Sequence, residues 1–123
     1  MGNLLALDVG SKRTGIAFCS DQTGVAVSLE TIKHNSIEAL AESVLAIYHD
    51  RNISTLLCGL PLLPTGEEGA QVVFVRGFAA LLENEGVVVE FVDERYTSDA
   101  PASVDKDASA ACKLILTYQE RNS

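Results

Sequence analysis

The stretch Leu4-Leu5-Ala6-Leu7-Asp8-Val9-Gly10-Ser11-Lys12-Arg13-Thr14-Gly15-Ile16-Ala17 sets one carboxylate inside an apolar run that reads as a buried strand. An ionised Asp in such a place is costly unless a cation or hydrogen-bond donors meet it. The glycines that follow suit a tight turn, and the second apolar run, Ile16 to Cys19, reads as a strand returning beside the first. A carboxylate on a central strand therefore points to a metal site.

Working outward, residues 3–9, 14–20 and 24–32 read as three successive strands of an antiparallel meander, joined by segments rich in turn formers. Ser36 is placed to cap a helix from Ile37 to about Arg51, since Leu40, Val44, Ile47 and Tyr48 recur on one face and Glu38 falls in the first turn. A fourth strand follows, Thr55 to Leu60. Pro61, Pro64, Gly66 and Gly69 mark a loop before a second amphipathic helix carrying Val72, Val75, Phe78, Ala79 and Leu82 and ending near Gly86. Val87 to Val92 reads as a fifth strand, Tyr96 to Lys106 as a polar loop, and about Asp105 to Glu120 as a last helix. The order βββαβαβα predicts an α/β fold, a five-stranded mixed sheet flanked by helices.

The 123 residues are read as a single domain, and an apolar fraction of 47% excludes general disorder. The apolar runs fall short of the roughly 20 residues of a membrane span, and no basic-then-apolar leader is seen. A cytoplasmic protein with no membrane partner is expected. Cys19, Cys58 and Cys112 lack metal-ligand spacing and sit in apolar settings, so buried free thiols are expected. A net charge of −8 argues against broad nonspecific nucleic-acid binding unless cations gather locally. His34 and His49 are expected on the surface, and the tyrosines lack the spacing of a base-stacking platform.

The acids that stand within or at the ends of apolar elements are Asp8, the pair Asp93-Glu94 and Asp107. Parallel first and fifth strands would deliver their acids to the sheet edge where ligands bind in α/β folds. With the fourth strand between them, the two backbones would stand about 10 Å apart, a gap that Glu94 could span over the bare Gly59. Asp107, Ala111, Leu114 and Tyr118 fall at i, i+4, i+7 and i+11, which puts Asp107 on the buried face of the last helix, whereas Asp105 is better placed as its N-cap. Simpler readings also stand. Asp107 would favour the helix dipole, Asp93-Glu94-Arg95 would form an exposed ion-pair cluster, and Asp8 would initiate a turn.

Three blocks resemble the YqgF family of pre-16S rRNA nucleases, also described as Holliday-junction-resolvase-like and carrying a ribonuclease H-like fold. They are Leu7 to Gly15; Gly59-Leu60-Pro61-Leu62 with Gly66-Glu67-Glu68-Gly69; and Asp93-Glu94-Arg95-Tyr96-Thr97-Ser98. The final helix from Asp107 is similar too. The resemblance implies that Asp8, Glu94 and Asp107 are catalytic carboxylates that bind Mg²⁺ or Mn²⁺, and that Lys12, Arg13 and Arg95 contact substrate phosphate. It implies a nuclease acting on pre-rRNA or branched DNA, with ribosomal precursor particles as partners and a monomer or homodimer as the working form. A noncatalytic nucleic-acid or assembly module of the same fold is the alternative. Two departures bear on that choice: only Asp99 to Lys106 stands where the family has a longer, often basic segment, and Leu63 stands near a position where the family has Asn. A two-domain actin-like ATPase also uses an Asp-x-Gly turn, but this chain lacks the length for it.

Overall fold

The computed structural model describes residues 2–61, 65, 69–93 and 106–122, with the side chains of 106–109 outside that description. The elements run β1 (Asn3–Val9), β2 (Arg13–Cys19), β3 (Ala26–Lys33), α1 (Ile37–Asp50), β4 (Ile53–Leu60), α2 (Ala70–Asn84), β5 (Val89–Asp93) and α3 (Lys106–Arg121). This is the expected βββαβαβα order. The strands form one sheet ordered β3-β2-β1-β4-β5, with β1 antiparallel to β2, β2 antiparallel to β3, and the pairs β1–β4 and β4–β5 parallel.

The central strand β1 is covered on both faces, and its side chains alternate between two cores. Leu5, Leu7 and Val9 pack with Leu40 and Val44 of α1 and with Val72, Val75, Phe78 and Leu82 of α2. Leu4 and Ala6 pack on the other side with Ala111, Leu114 and Ile115 of α3. The stripes expected for α1 and α2 therefore face the sheet, with Ile47 and Tyr48 half-buried at its margin.

Local chemistry sets the ends of the helices. Ser36 caps α1, its hydroxyl accepting from the Ala39 N–H at 3.1 Å. Asn52, at φ 52°, turns the chain out of α1 in the left-handed region that Asn tolerates, so β4 starts at Ile53, two residues earlier than expected. After α2, Gly86 at φ 88° lets the Val87 N–H fold back to the Leu82 carbonyl, and β5 accordingly begins at Val89 and not at Val87. The strand β3 also starts later, at Ala26 where 24–32 was expected, because Gly24, at φ 68°, still belongs to the preceding turn, and it runs on to Lys33.

All three cysteines are buried free thiols, as expected. Cys58, enclosed between β1 and α2, has its thiol pushed up to about 12 by burial and, secondarily, by Glu83. Among the described residues no helix is long and apolar enough to cross a membrane.

Phe78 is the largest fully buried side chain and joins α2 to the sheet. Phe78→Ala should destabilise the protein by about 3–5 kcal/mol, read as a lower urea midpoint with an unchanged denaturant slope.

Candidate active site

Asp8 is the penultimate residue of β1 and is half-buried. Two positions beyond Ala6, it lies on the α3 side of the sheet by strand alternation. Its antiparallel neighbour on β2 is Gly15. On β4 the parallel register reaches Leu7 opposite Cys58, so the next position is Gly59, which is itself registered with Val92 of β5. The carboxylate thus stands between two residues without side chains. Gly15 also falls where the β2–β3 register shifts, between Thr14 and Ile16. No hydrogen bond or ion pair within the described residues engages the Asp8 carboxylate.

The turn after Asp8 is tightly made. A Cβ on Gly10 would meet the Arg13 carbonyl oxygen, a backbone atom that cannot swing aside. Gln71 in the first turn of α2 donates from Nε2 to the Val9 carbonyl at 2.8 Å, and the His34 N–H donates to the Lys12 carbonyl at 2.9 Å. Asp8, Gly10, Ser11, Lys12 and Arg13 then line one open depression of about 270 Å³. The sequence reading brought Asp8, Lys12 and Arg13 into one site, and the fold brings them together.

Glu94 and Arg95 lie outside the described residues, and so does the side chain of Asp107, whose backbone is in the first turn of α3. The described residues hold no cluster of three His, Cys, Asp or Glu side chains. Further along α3, Ala111 and Leu114 are fully buried and Tyr118 is half-buried, as the stripe through Asp107 required. On β5, Val92 packs toward α3, and Glu90 accepts a hydrogen bond from the Tyr118 hydroxyl at 3.1 Å. Burial and that contact both push the phenol of Tyr118 up.

His34 corrects an expectation. It was read as a surface residue, yet it is only 7% exposed, with Nε2 2.9 Å from the Thr14 hydroxyl. The reason is the extra length of β3: Arg13 pairs with Lys33, so the next residue is drawn under the β1–β2 turn. Its Nδ1 is buried without a partner among the described residues, and burial holds the imidazole below its ordinary value. His49 is exposed, as expected. Gln71 and Lys33 were missed as site residues because contacts distant in sequence bring them there, and Gly15 was read only as part of the Leu7 to Gly15 turn block and not as Asp8's cross-strand neighbour.

A mixed sheet in the order β3-β2-β1-β4-β5, with helices on both faces and an acid at the end of its central strand, is the ribonuclease H-like fold. The family model described as RuvX, Holliday junction resolvase, matches residues 2–115, and the chain belongs to that family. It is 33% identical over 123 residues to a protein of Cupriavidus necator named "Putative pre-16S rRNA nuclease", covering 95% of this chain and 87% of that one. It is 39% identical over 126 residues to a Sulfurihydrogenibium protein of the same name, covering 99% and 78%. The structure of T. thermophilus RuvC in complex with a Holliday junction substrate superposes with a TM-score of 0.68 at 12% identity, covering 97% of this chain and 93% of that one. The family resemblance read from the sequence blocks is borne out, and with it the assignment to phosphodiester-cleaving enzymes.

Because His34 is held neutral, its contribution to stability is complete above the ordinary imidazole value of about 6.5 and is lost as pH falls through its lower folded value. Wild type should therefore lose unfolding free energy between about pH 7 and pH 5. His34→Gln, which can still bond Thr14 but does not titrate, should show a flatter profile in urea melts across that range.

Proposed function

We infer that this protein is a divalent-metal-dependent nuclease that cuts the phosphodiester backbone at the 5′ end of pre-16S rRNA, with Asp8, Glu94 and Asp107 as its catalytic carboxylates. The observation that carries this reading is Asp8 itself, a half-buried carboxylate flanked by Gly15 and Gly59 beside Lys12 and Arg13. An acid in that setting calls for a cation, and an all-oxygen donor suits a hard one such as Mg²⁺ or Mn²⁺. Sequence parity supports Glu94 as the second acid: Glu90 and Val92 face α3, and 94 is the next number in that alternation. Helical spacing supports Asp107 as the third, one turn before the buried Ala111.

When bound, the ions supply Lewis-acid stabilisation of the charge that develops on the scissile phosphate. The protein's own part is positional. Asp8 is fixed on a strand paired on both sides, so the carboxylate is held without reorganisation. Lys12 and Arg13, carried by the turn that Gly10 permits, attract and orient the phosphodiester, and Arg13 and Arg95 offer the planar fork that suits phosphate. The names of the relatives favour pre-16S rRNA as substrate, and the family's description favours a four-way DNA junction. Junction cleavage would need a symmetric dimer presenting two sites.

The test is cleavage of end-labelled pre-16S rRNA and of a four-way DNA junction in Mg²⁺ or Mn²⁺. Asp8→Asn should reduce cleavage to less than about one-hundredth of wild type. Its melting temperature should be unchanged or raised, because the substitution removes a half-buried charge. Undiminished cleavage by the folded variant would refute the assignment, and cleavage of the junction alone would move the substrate from RNA to DNA.

A further inference from the structure

A second depression, of about 380 Å³, adjoins the Asp8 pocket and shares Lys12 and Arg13 with it. Lys33, His34 and Asn35 complete its lining, so three of the chain's nine cations meet there, and among the described residues no carboxylate lines it. In a chain of net charge −8 this concentration sets the pocket apart. Two other cations lie over aromatic rings, Arg51 4.8 Å from the centre of Phe18 and Arg76 5.1 Å from that of Phe91.

The geometry of the pocket selects for an anion in three ways. Arg13 and Lys33 are direct cross-strand partners, which brings two cationic residues of neighbouring strands to the pocket. Asn35 and Ser36 immediately precede the 14-residue helix α1, so the positive end of its dipole opens beside the pocket. Buried under the rim, His34 is neutral, with Nδ1 unpartnered, and its backbone N–H fixes the Lys12 carbonyl. The acids nearest in the sequence are Glu30, three residues before Lys33, and Glu38, three residues after Asn35, and both are exposed.

We propose that Lys33, with Asn35 and the α1 N-terminus, forms a second phosphate subsite that holds a backbone phosphate of the nucleic-acid strand away from the one cleaved at Asp8. This rests on the nuclease reading of the Asp8 pocket and extends it: Lys12 and Arg13 lie between two phosphates, one on each side. The subsite recognises the phosphodiester backbone shared by RNA and DNA and carries no base information. Substrate is thereby held at two points, and the cleaved bond is set by its distance from the second.

The experiment measures binding and cleavage of the pre-16S rRNA fragment and the four-way junction by wild type, Lys33→Gln, Lys33→Arg and a control, Arg121→Gln, at the exposed end of α3. Lys33→Gln should lower the slope of log affinity against log salt by about 0.7–0.9 and raise KM on the order of fivefold, with a smaller change in kcat. Lys33→Arg should retain the slope, and Arg121→Gln should behave as wild type. A slope change on RNA alone, or on the junction alone, identifies the strand that the subsite holds. If Lys33→Gln matches Arg121→Gln while Asp8→Asn abolishes cleavage, the subsite is overturned and the nuclease reading stands. If cleavage ignores Asp8→Asn, the nuclease reading falls, and the salt slope still decides the subsite because it is read without cleavage. Failure of wild type to bind either nucleic acid overturns both.

Discussion

Everything at the site depends on β1 being paired on both edges and packed on both faces. A strand held in this way cannot slip by one residue without sending Leu5, Leu7 and Val9 into the layer of α3 and Asp8 into the layer of α1 and α2. The two apolar clusters therefore fix the direction of the carboxylate more firmly than any contact the carboxylate itself makes. The central strand carries the acid, and the cores on either side carry the strand.

The glycines on either side of Asp8 follow from the same constraint. A glycine inside a strand sacrifices packing and conformational entropy, about 0.5–1 kcal/mol for each. Here Gly15 and Gly59 occupy buried positions on the two strands next to the acid, one from an antiparallel and one from a parallel neighbour. Side chains at these points would project into the α3 layer beside the carboxylate, as Ala17 and Leu57 do further along the same strands.

Much of this was legible in the sequence, and the parts that were not share one cause. Ser36 announced α1, the Val72 to Leu82 stripe announced α2, and Asp8 stood out because its neighbours were apolar; each is a local signal at the spacing of one element. Turn residues misled at the margins, where Asn52 and Gly86 adopt left-handed backbone and move the starts of β4 and β5. Lys33 and His34 were illegible as members of the site because their place depends on the β2–β3 register, which shifts at Gly15. Periodicity reports which face a residue takes, but it does not report which distant residue stands opposite.

The two pockets carry opposite local charge. At Asp8 the chain has a half-buried negative charge, and one turn away it has Arg13 opposed to Lys33. A divalent cation answers the first, but it adds positive charge beside cations already crowded together. A phosphodiester answers the second, but it brings negative charge toward the carboxylate. Bound together, each offsets the charge introduced by the other, so on the proposed reading cation and nucleic acid should favour one another's binding. An acidic chain can then hold a polyanion without a broad basic face. On that reading its overall charge would keep nonspecific contacts weak, and the cations beside Asp8 would confine attraction to the proposed point of cleavage.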